Sequence, residues 1–200
     1  FFLVEIVRAL AENAGELQRI GQGELPETVL TVGIERIVER RLDRLPDSFR
    51  PWLDFAAVAG RRLDPLLLEG AFPGMPLRDF LIECANAAVV ESQGSDWRFA
   101  HDKLRETLLR RMGADKLRSL HGLVAQTMEA AYTGSNRDSM SAVLAYHFKE
   151  AQIYDKAIAY YELAGDCAVK LYIYEQARTH YAAAESLVAL LPPSSALQRR

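Results

Sequence analysis

One change of hydrophobic period constrains the fold of this chain more than any other feature. Apolar residues recur at helical spacing along most of the sequence, but two short β-favouring runs, AVVES (88–92) and WRFA (97–100), interrupt that pattern. The residues between them, Gln93-Gly94-Ser95-Asp96, are typical of a tight hairpin turn. The sequence therefore predicts a mainly α protein with one short β-hairpin.

Three short helices are predicted before the hairpin. Their sequences are FRPWLDFAAVAG (49–60), LDPLLLEGAF (63–72) and PLRDFLIECANA (76–87). In the third, the recurring apolar residues mark an inward face, and they are Leu77, Phe80, Leu81 and Cys84. Three compact helices followed by a hairpin is the order of a winged helix, which we place at 44–112.

An internal similarity marks the last third of the chain. The segments YDKAIAYYELAGDCA (154–168) and YEQARTHYAAAESLV (174–188) carry Tyr and Ala at matching positions. The matched tyrosines are Tyr154, Tyr161, Tyr174 and Tyr181. Small Ala residues let helices approach closely, and Tyr fills the wider gaps, which is typical of stacked helical hairpins.

These features predict a linker helix and tetratricopeptide-like hairpins over 113–200, with a plain helical bundle as the alternative. Within this region, TGSNRD (133–138) is predicted to be a loop. The four tyrosines are candidates for an interaction surface, although packing between helices is the commoner use of tyrosines at helical spacing.

The first 43 residues are predicted to form a small helical unit. FFLVEIVRALAEN (1–13) is amphipathic, and VLTVGIERIVERRLDRL (29–45) indicates a second helix. Because the chain opens on Phe1 within an amphipathic pattern, we expect it to be part of a longer polypeptide.

The composition is that of an ordinary globular protein, with 50% apolar and 26% charged residues. A net charge of −3 is too small to attract nucleic acid or an anionic membrane over a long range. Cys84 and Cys167 form no disulfide or metal-ligand pattern, so we expect buried, reduced thiols. The apolar runs are too short to span a bilayer, and a cytoplasmic protein without a membrane partner is expected.

No complete set of catalytic residues is evident. The sequence lacks the GxxxxGK[ST] phosphate loop, the GxSxG elbow and the HExxH helix. His101, His121, His147 and His180 have no His, Cys or carboxylate partner at metal-ligand spacing apart from Asp102. We therefore predict that this segment is not itself an enzyme and holds no metal or cofactor of its own.

DNA binding is the less favoured use of a winged helix here. The third helix would enter the major groove, yet its charged side chains are Arg78, Asp79 and Glu83. Two carboxylates facing phosphates oppose binding. The basic residues cluster elsewhere, at Arg61, Arg62, Lys103, Arg105, Arg110, Arg111, Lys116 and Arg118.

The pair His101-Asp102 stands where the hairpin gives way to the helix KLRETLLRRM (103–112). In one interpretation His101 packs against the hairpin and Asp102 accepts hydrogen bonds from the first turn of the helix. In the other, the imidazole donates to an anion, since helix N-termini favour phosphate. Spacing alone favours the first interpretation.

The order of several short motifs resembles the C-terminal part of STAND-type, AAA-related signalling ATPases of bacteria. These motifs are FFLVEIVRAL, RLDRLPDSFRPWLDFAAVAG, LRDFLIECANAAVVES, RFAHDKLRE, the H-x-x-V-A helix from His121 to Ala125, and the Tyr/Ala-rich hairpins. The resemblance covers essentially the whole chain.

The resemblance implies a helical lid at 1–43, the winged helix at 44–112, and the linker helix with repeats at 113–200. It also implies that an upstream core of the parent protein binds ATP or ADP with Mg, and that His101 contacts the nucleotide phosphate in a closed state. The family tripeptide is Met-His-Asp, whereas this chain has Ala100-His101-Asp102. The implied partners are that core and a protein, or a second copy of the chain, bound through the repeats.

Overall fold

A computed structural model describes residues 37–94 and 96–191 of the chain. As the sequence predicted, the fold is mainly helical with a small antiparallel sheet. Most of the predicted helical unit at 1–43 lies outside the described residues. Among those that are described, no helix combines the length and the apolar character that crossing a bilayer requires.

The elements follow one another closely. After a helical segment at 37–42 and a 3-10 turn at Asp47–Phe49, they are α1 (Arg50–Ala59), β1 (Arg62–Leu63), α2 (Pro65–Ala71), α3 (Leu77–Asn86), β2 (Val90–Gln93), β3 (Asp96–Phe99), α4 (Asp102–Arg111), α5 (Ala114–Ala131), α6 (Gly134–Ser139), α7 (Ser141–Glu150), α8 (Tyr154–Lys170) and α9 (Tyr174–Val188).

The sheet has three strands in the order β1-β3-β2, and both pairings are antiparallel. Strands β2 and β3 form the predicted hairpin, with Val90 opposite Phe99. Strand β1 pairs with the other edge of β3, where Leu63 lies opposite Trp97. The sequence did not indicate β1, because two residues are too few to show a period.

An aromatic cluster joins α1 to α3. Phe49, Trp52 and Phe80 meet with ring centroids 5.1 to 5.5 Å apart, and each such pair stabilises a core by about 0.5–1.5 kcal/mol beyond its area. Phe80 and Cys84 are fully buried, which confirms the inward face predicted for α3. The hairpin is anchored to the same core by the fully buried Phe99.

Two polar contacts join α1 to the two helices that follow the hairpin, α4 and α5. Arg105 on α4 donates through Nε to the carbonyl oxygen of Ala57 at 2.7 Å. Lys116 on α5 places its Nζ 2.5 Å from Oδ2 of Asp54, a carboxylate that is mostly buried on α1. A buried charge without a partner is costly, so this ion pair orients α5 against α1.

Residues 133–138 were predicted to form a loop, and that prediction is wrong over most of its length. Helix α6 begins at Gly134 and ends at Ser139. Backbone bonds from Met140 to Asn136 and Arg137 close its last turn. The polar residues of this stretch favour turns locally, but contact with α8 holds them in one helical turn.

The sequence similarity of the last third corresponds to two matching turns. Gln152 and Tyr172 both adopt a left-handed backbone, with φ of 62° and 60°. In each turn the backbone N–H of the following isoleucine donates to a carbonyl oxygen at a distance of 2.9 Å. Ile153 donates to Phe148, and Ile173 donates to Ala168. Helices α8 and α9 therefore begin in the same way.

The matched alanines of α8 and α9 are buried. They are Ala157, Ala164, Ala177 and Ala184. Small side chains at these positions let neighbouring helices approach closely, as the sequence predicted.

Candidate functional site

His101 is exposed at the junction between the hairpin and α4. It has an extended backbone, with φ −151° and ψ 141°, and its Nδ1 accepts a hydrogen bond from the backbone N–H of Lys103 at 3.1 Å. His101 is therefore the N-cap of α4. Because Nδ1 acts as an acceptor, the neutral ring carries its proton on Nε2, which makes that atom the donor.

Asp102 is the first residue of α4, so the capping hydrogen bond comes from His101 and not from Asp102. The Asp102 carboxylate instead lies 3.2 Å from Nε of Arg61, beside β1. A carboxylate in the first turn also interacts favourably with the helix dipole. Both members of this pair are largely exposed, so the contribution to stability is small.

The backbone around His101 is held by the sheet. Ala100 donates to the carbonyl of Val89 at 3.0 Å, and Phe99 donates to the carbonyl of Arg61 at the same distance. With the Phe99 ring fully buried, these bonds fix the chain just before the histidine. The imidazole is thus an exposed group on a rigid support.

Carboxylates accompany the cations near His101. Lys103 lies 2.7 Å from Glu106, and this hydrogen bond lowers the pKa of the Glu106 carboxyl. Arg98 pairs with Glu91 at 2.6 Å across the hairpin. Lys103 and Arg98 are therefore charge-compensated.

The exposed face of α3 carries Arg78, Asp79 and Glu83, as the sequence indicated. Ile82 on the same helix is also exposed. A surface with more carboxylates than cations repels the DNA backbone. This face is therefore poorly suited to entering a major groove.

A histidine pair joins α5 to α7. Nδ1 of His121 on α5 lies 2.9 Å from Nδ1 of His147 on α7. His147 is only 2% exposed. One ring must donate and the other accept, so the contact requires that the accepting imidazole be neutral.

Burial disfavours the charged form of both rings. It lowers the pKa of His147 to about 3, and the neighbouring His121 and Arg105 act in the same direction. Burial also lowers the pKa of His121, against the opposing effect of Glu150. Sequence spacing did not reveal this pair, because its members lie on different helices 26 residues apart.

The histidine pair does not extend to a metal site. In the part of the chain that the structure describes, no three His, Cys, Asp or Glu side chains are grouped so that they could hold a metal ion. The ring of Tyr146 packs edge-on against both imidazoles instead. The pair is thus a buried polar contact between helices.

The four candidate tyrosines divide into two groups. Tyr154 and Tyr161 are half-buried and pack against the core, whereas Tyr174 and Tyr181 are exposed. Tyr174 and Tyr181 line a cleft of about 440 Å³ beside α9. Of the four candidates, only the two on α9 are therefore exposed.

Tyr160 was not among the candidates, but it is the buried tyrosine of this region. It stacks on Phe148 at 5.5 Å and donates to Glu129 at 2.8 Å. Glu129 also accepts from Lys156 at 2.5 Å. Burial and the bond to Glu129 raise the pKa of Tyr160 to about 12, as suits a structural hydroxyl.

Comparison with protein families, with curated proteins and with solved structures finds no match to this chain. Two exposed surfaces of the described residues are therefore the candidate functional sites. One is the exposed His101 at the hairpin-helix junction. The other is the cleft beside α9.

Proposed function

We propose that this chain is the regulatory and interaction segment of a nucleotide-switched signalling ATPase of the STAND type. In this proposal, 1–43 is the lid, 44–112 the winged helix, and 113–200 the linker helix with tetratricopeptide-like repeats. The order of α1 to α3, the hairpin and the helical hairpins supports it. The strand order β1-β3-β2 suits a winged helix.

The geometry of His101 carries the proposal. The ring is exposed, its Nδ1 is engaged by the backbone of α4, and Nε2 is the donor atom of the neutral ring. A donor on a fixed ring at a helix N-terminus fits a phosphate. Arg61 and Lys103 lie nearby, but each is paired with a carboxylate, Asp102 and Glu106 respectively, so the proposed contact depends on the imidazole donor and the helix N-terminus.

The nucleotide itself is assigned to an upstream core of the parent protein. ATP or ADP with Mg supplies the phosphate charge when bound there. The contact from His101 then holds the winged helix against the nucleotide. One charge-assisted hydrogen bond contributes on the order of 1.5–3 kcal/mol. A contact of that size, made in one state only, is enough to bias a two-state switch.

The test is ADP binding by the parent protein, measured by calorimetry. His101→Asn is the informative variant, because Asn keeps an N-cap acceptor while removing the imidazole. We expect His101→Asn and His101→Ala both to weaken ADP binding about tenfold, equivalent to about 1.4 kcal/mol. Unchanged ADP affinity in both variants would refute the phosphate contact and leave His101 as a helix cap.

A protein-binding scaffold is the second candidate function, and the exposed Tyr174 and Tyr181 favour it. In that role the repeats bind a partner and His101 is structural. Alanine substitution of Tyr174 should then abolish partner binding without changing ADP retention. DNA binding by the winged helix has the least support, because carboxylates predominate among the charges on the exposed face of α3.

A further inference from the structure

One flank of α9 presents residues at heptad spacing. Tyr174, Arg178, Tyr181 and Glu185 follow one another at intervals of four, three and four residues, with Ala182 beside them. We call these five residues the α9 flank. All five line the cleft of about 440 Å³ that separates this side of α9 from the end of α8.

The α9 flank is exposed, and apolar side chains lie at both of its ends. Ile173 and Tyr174 are 41% and 62% exposed at the start of the helix, and Leu190 is 55% exposed just after its end. In the preceding turn, the equivalent Ile153 and Tyr154 pack against the core. The start of α9 thus exposes apolar side chains whose equivalents at the start of α8 pack against the core.

The centre of the flank has a defined shape. Tyr181 donates to Asp166 at 2.6 Å, which holds its ring over α8. The ring fits because residue 165 is glycine, and a Cβ there would lie 2.5 Å from the ring. Ala182, next to Tyr181, leaves space for another helix to approach closely.

We propose that the α9 flank pairs with the same flank of a second copy of this chain, as an antiparallel, two-fold symmetric helix pair centred between Tyr181 and Ala182. In a two-fold pairing, each contact between two different residues occurs twice. The register follows from the centre, because residues at equal distances on either side of it face each other.

This register matches opposite charges. It places Arg178 of each copy opposite Glu185 of the other, and both side chains are exposed. At the centre, the Tyr181 of one copy lies beside the small Ala182 of the other.

Self-complementarity is the reason to assign this surface to a second copy. The flank carries one cation and one anion, placed symmetrically about its centre. A partner of single charge sign would leave one of them opposed by a like charge. This inference names the partner for the interaction role in the proposed function, and it does not depend on the role of His101.

The test is sedimentation velocity of the 200-residue chain at low salt, over a range of concentrations. We expect a reversible dimer. Arg178→Glu and Glu185→Arg should each weaken dimerisation about tenfold or more, because each creates two like-charge contacts per dimer. The double variant Arg178→Glu/Glu185→Arg restores opposite charges and should recover most of the lost affinity.

Arg118→Glu is the matched control. Arg118 on α5 forms an exposed i,i+3 pair with Asp115, as Arg178 does with Glu175, so the control removes an equivalent intrahelical pair on another helix. It should leave dimerisation unchanged. A monomeric wild-type chain would overturn the inference, as would a dimer that neither single variant weakens or that the double variant fails to restore. None of these results bears on ADP binding, which tests the proposed function separately.

Discussion

Nδ1 of His121 and Nδ1 of His147 lie 2.9 Å apart, and this contact joins α5 to α7 within the interior of the fold. Besides burial, Arg105 on α4 lowers the pKa of both imidazoles, and Glu150 on α7 raises that of His121. Because the accepting ring must be neutral, the contact between the two helices depends on pH and on the presence of both imidazoles.

Acidification should destabilise the protein below about pH 6.5. The pKa of His147 is lowered to about 3 in the folded state, whereas an unfolded histidine titrates near 6.5. Between these values the unfolded chain binds more protons, so the free energy of unfolding decreases as pH falls. We expect a loss on the order of 2–3 kcal/mol between pH 7 and pH 4 from this residue.

Urea denaturation at a series of pH values measures this effect. The variant His147→Leu is the control, since it cannot titrate and should show a shallower dependence on pH. A wild-type curve no steeper than that of the variant would contradict the assignment.

Removing both members of the histidine pair should cost less than the sum of the two single losses. His121→Leu leaves His147 buried without its partner, a loss of about 1–3 kcal/mol. In the double variant His121→Leu/His147→Leu no polar atom is left unpaired, so the cost should be well below the sum of the single costs. A double-mutant cycle by chemical denaturation measures the coupling.

His180→Ala is a control for the loss of an imidazole. His180 is half-buried and stacks on Tyr161 with ring centroids 6.2 Å apart. Its substitution should cost less than that of His121, and strictly additive effects in the cycle would argue against a direct bond between His121 and His147.

Gly165→Ala should destabilise the last hairpin although alanine favours helices. The new Cβ would lie 2.5 to 2.8 Å from three ring atoms of Tyr181, so the ring must move away from Asp166. We expect a net loss of about 1–3 kcal/mol. In a Tyr181→Ala background the clash is absent, and the same substitution should be neutral or stabilising by up to about 1 kcal/mol.

The two thiols should differ in reactivity. Cys84 is fully buried, and burial raises the pKa of its thiol to about 12, whereas Cys167 is half-buried. Since the thiolate is the reactive form, a disulfide reagent at pH 8 should modify Cys167 much faster in the folded protein. Cys84→Ala identifies the slow phase, and equal rates for both thiols would contradict the described burial.

Local patterns were sufficient to predict α1, α2, α3 and the hairpin, because their signals lie within a few adjacent residues. The inward face of α3 followed from the spacing of Phe80 and Cys84. The equivalent starts of α8 and α9 agree with the Tyr and Ala similarity of segments that begin at Tyr154 and Tyr174. In each case the information needed to form the element is carried by the element itself.

Where two local solutions competed, sequence alone did not choose correctly. Both His101 and Asp102 can cap a helix, and the extended backbone fixed by the sheet at Phe99 assigns the cap to His101. Residues 134–139 favour a turn locally, yet α8 holds them as one turn of helix.

The sequence by itself determined the helical class, the position of the hairpin and the similarity between 154–168 and 174–188, since these depend on short-range patterns. Only the tertiary structure decided that β1 joins the sheet, that His121 meets His147, and that Tyr160 is buried while Tyr174 is exposed. The physical reason is the distance along the chain between the partners. Such contacts form only when whole helices pack, and packing selects partners by shape and burial that no local pattern records.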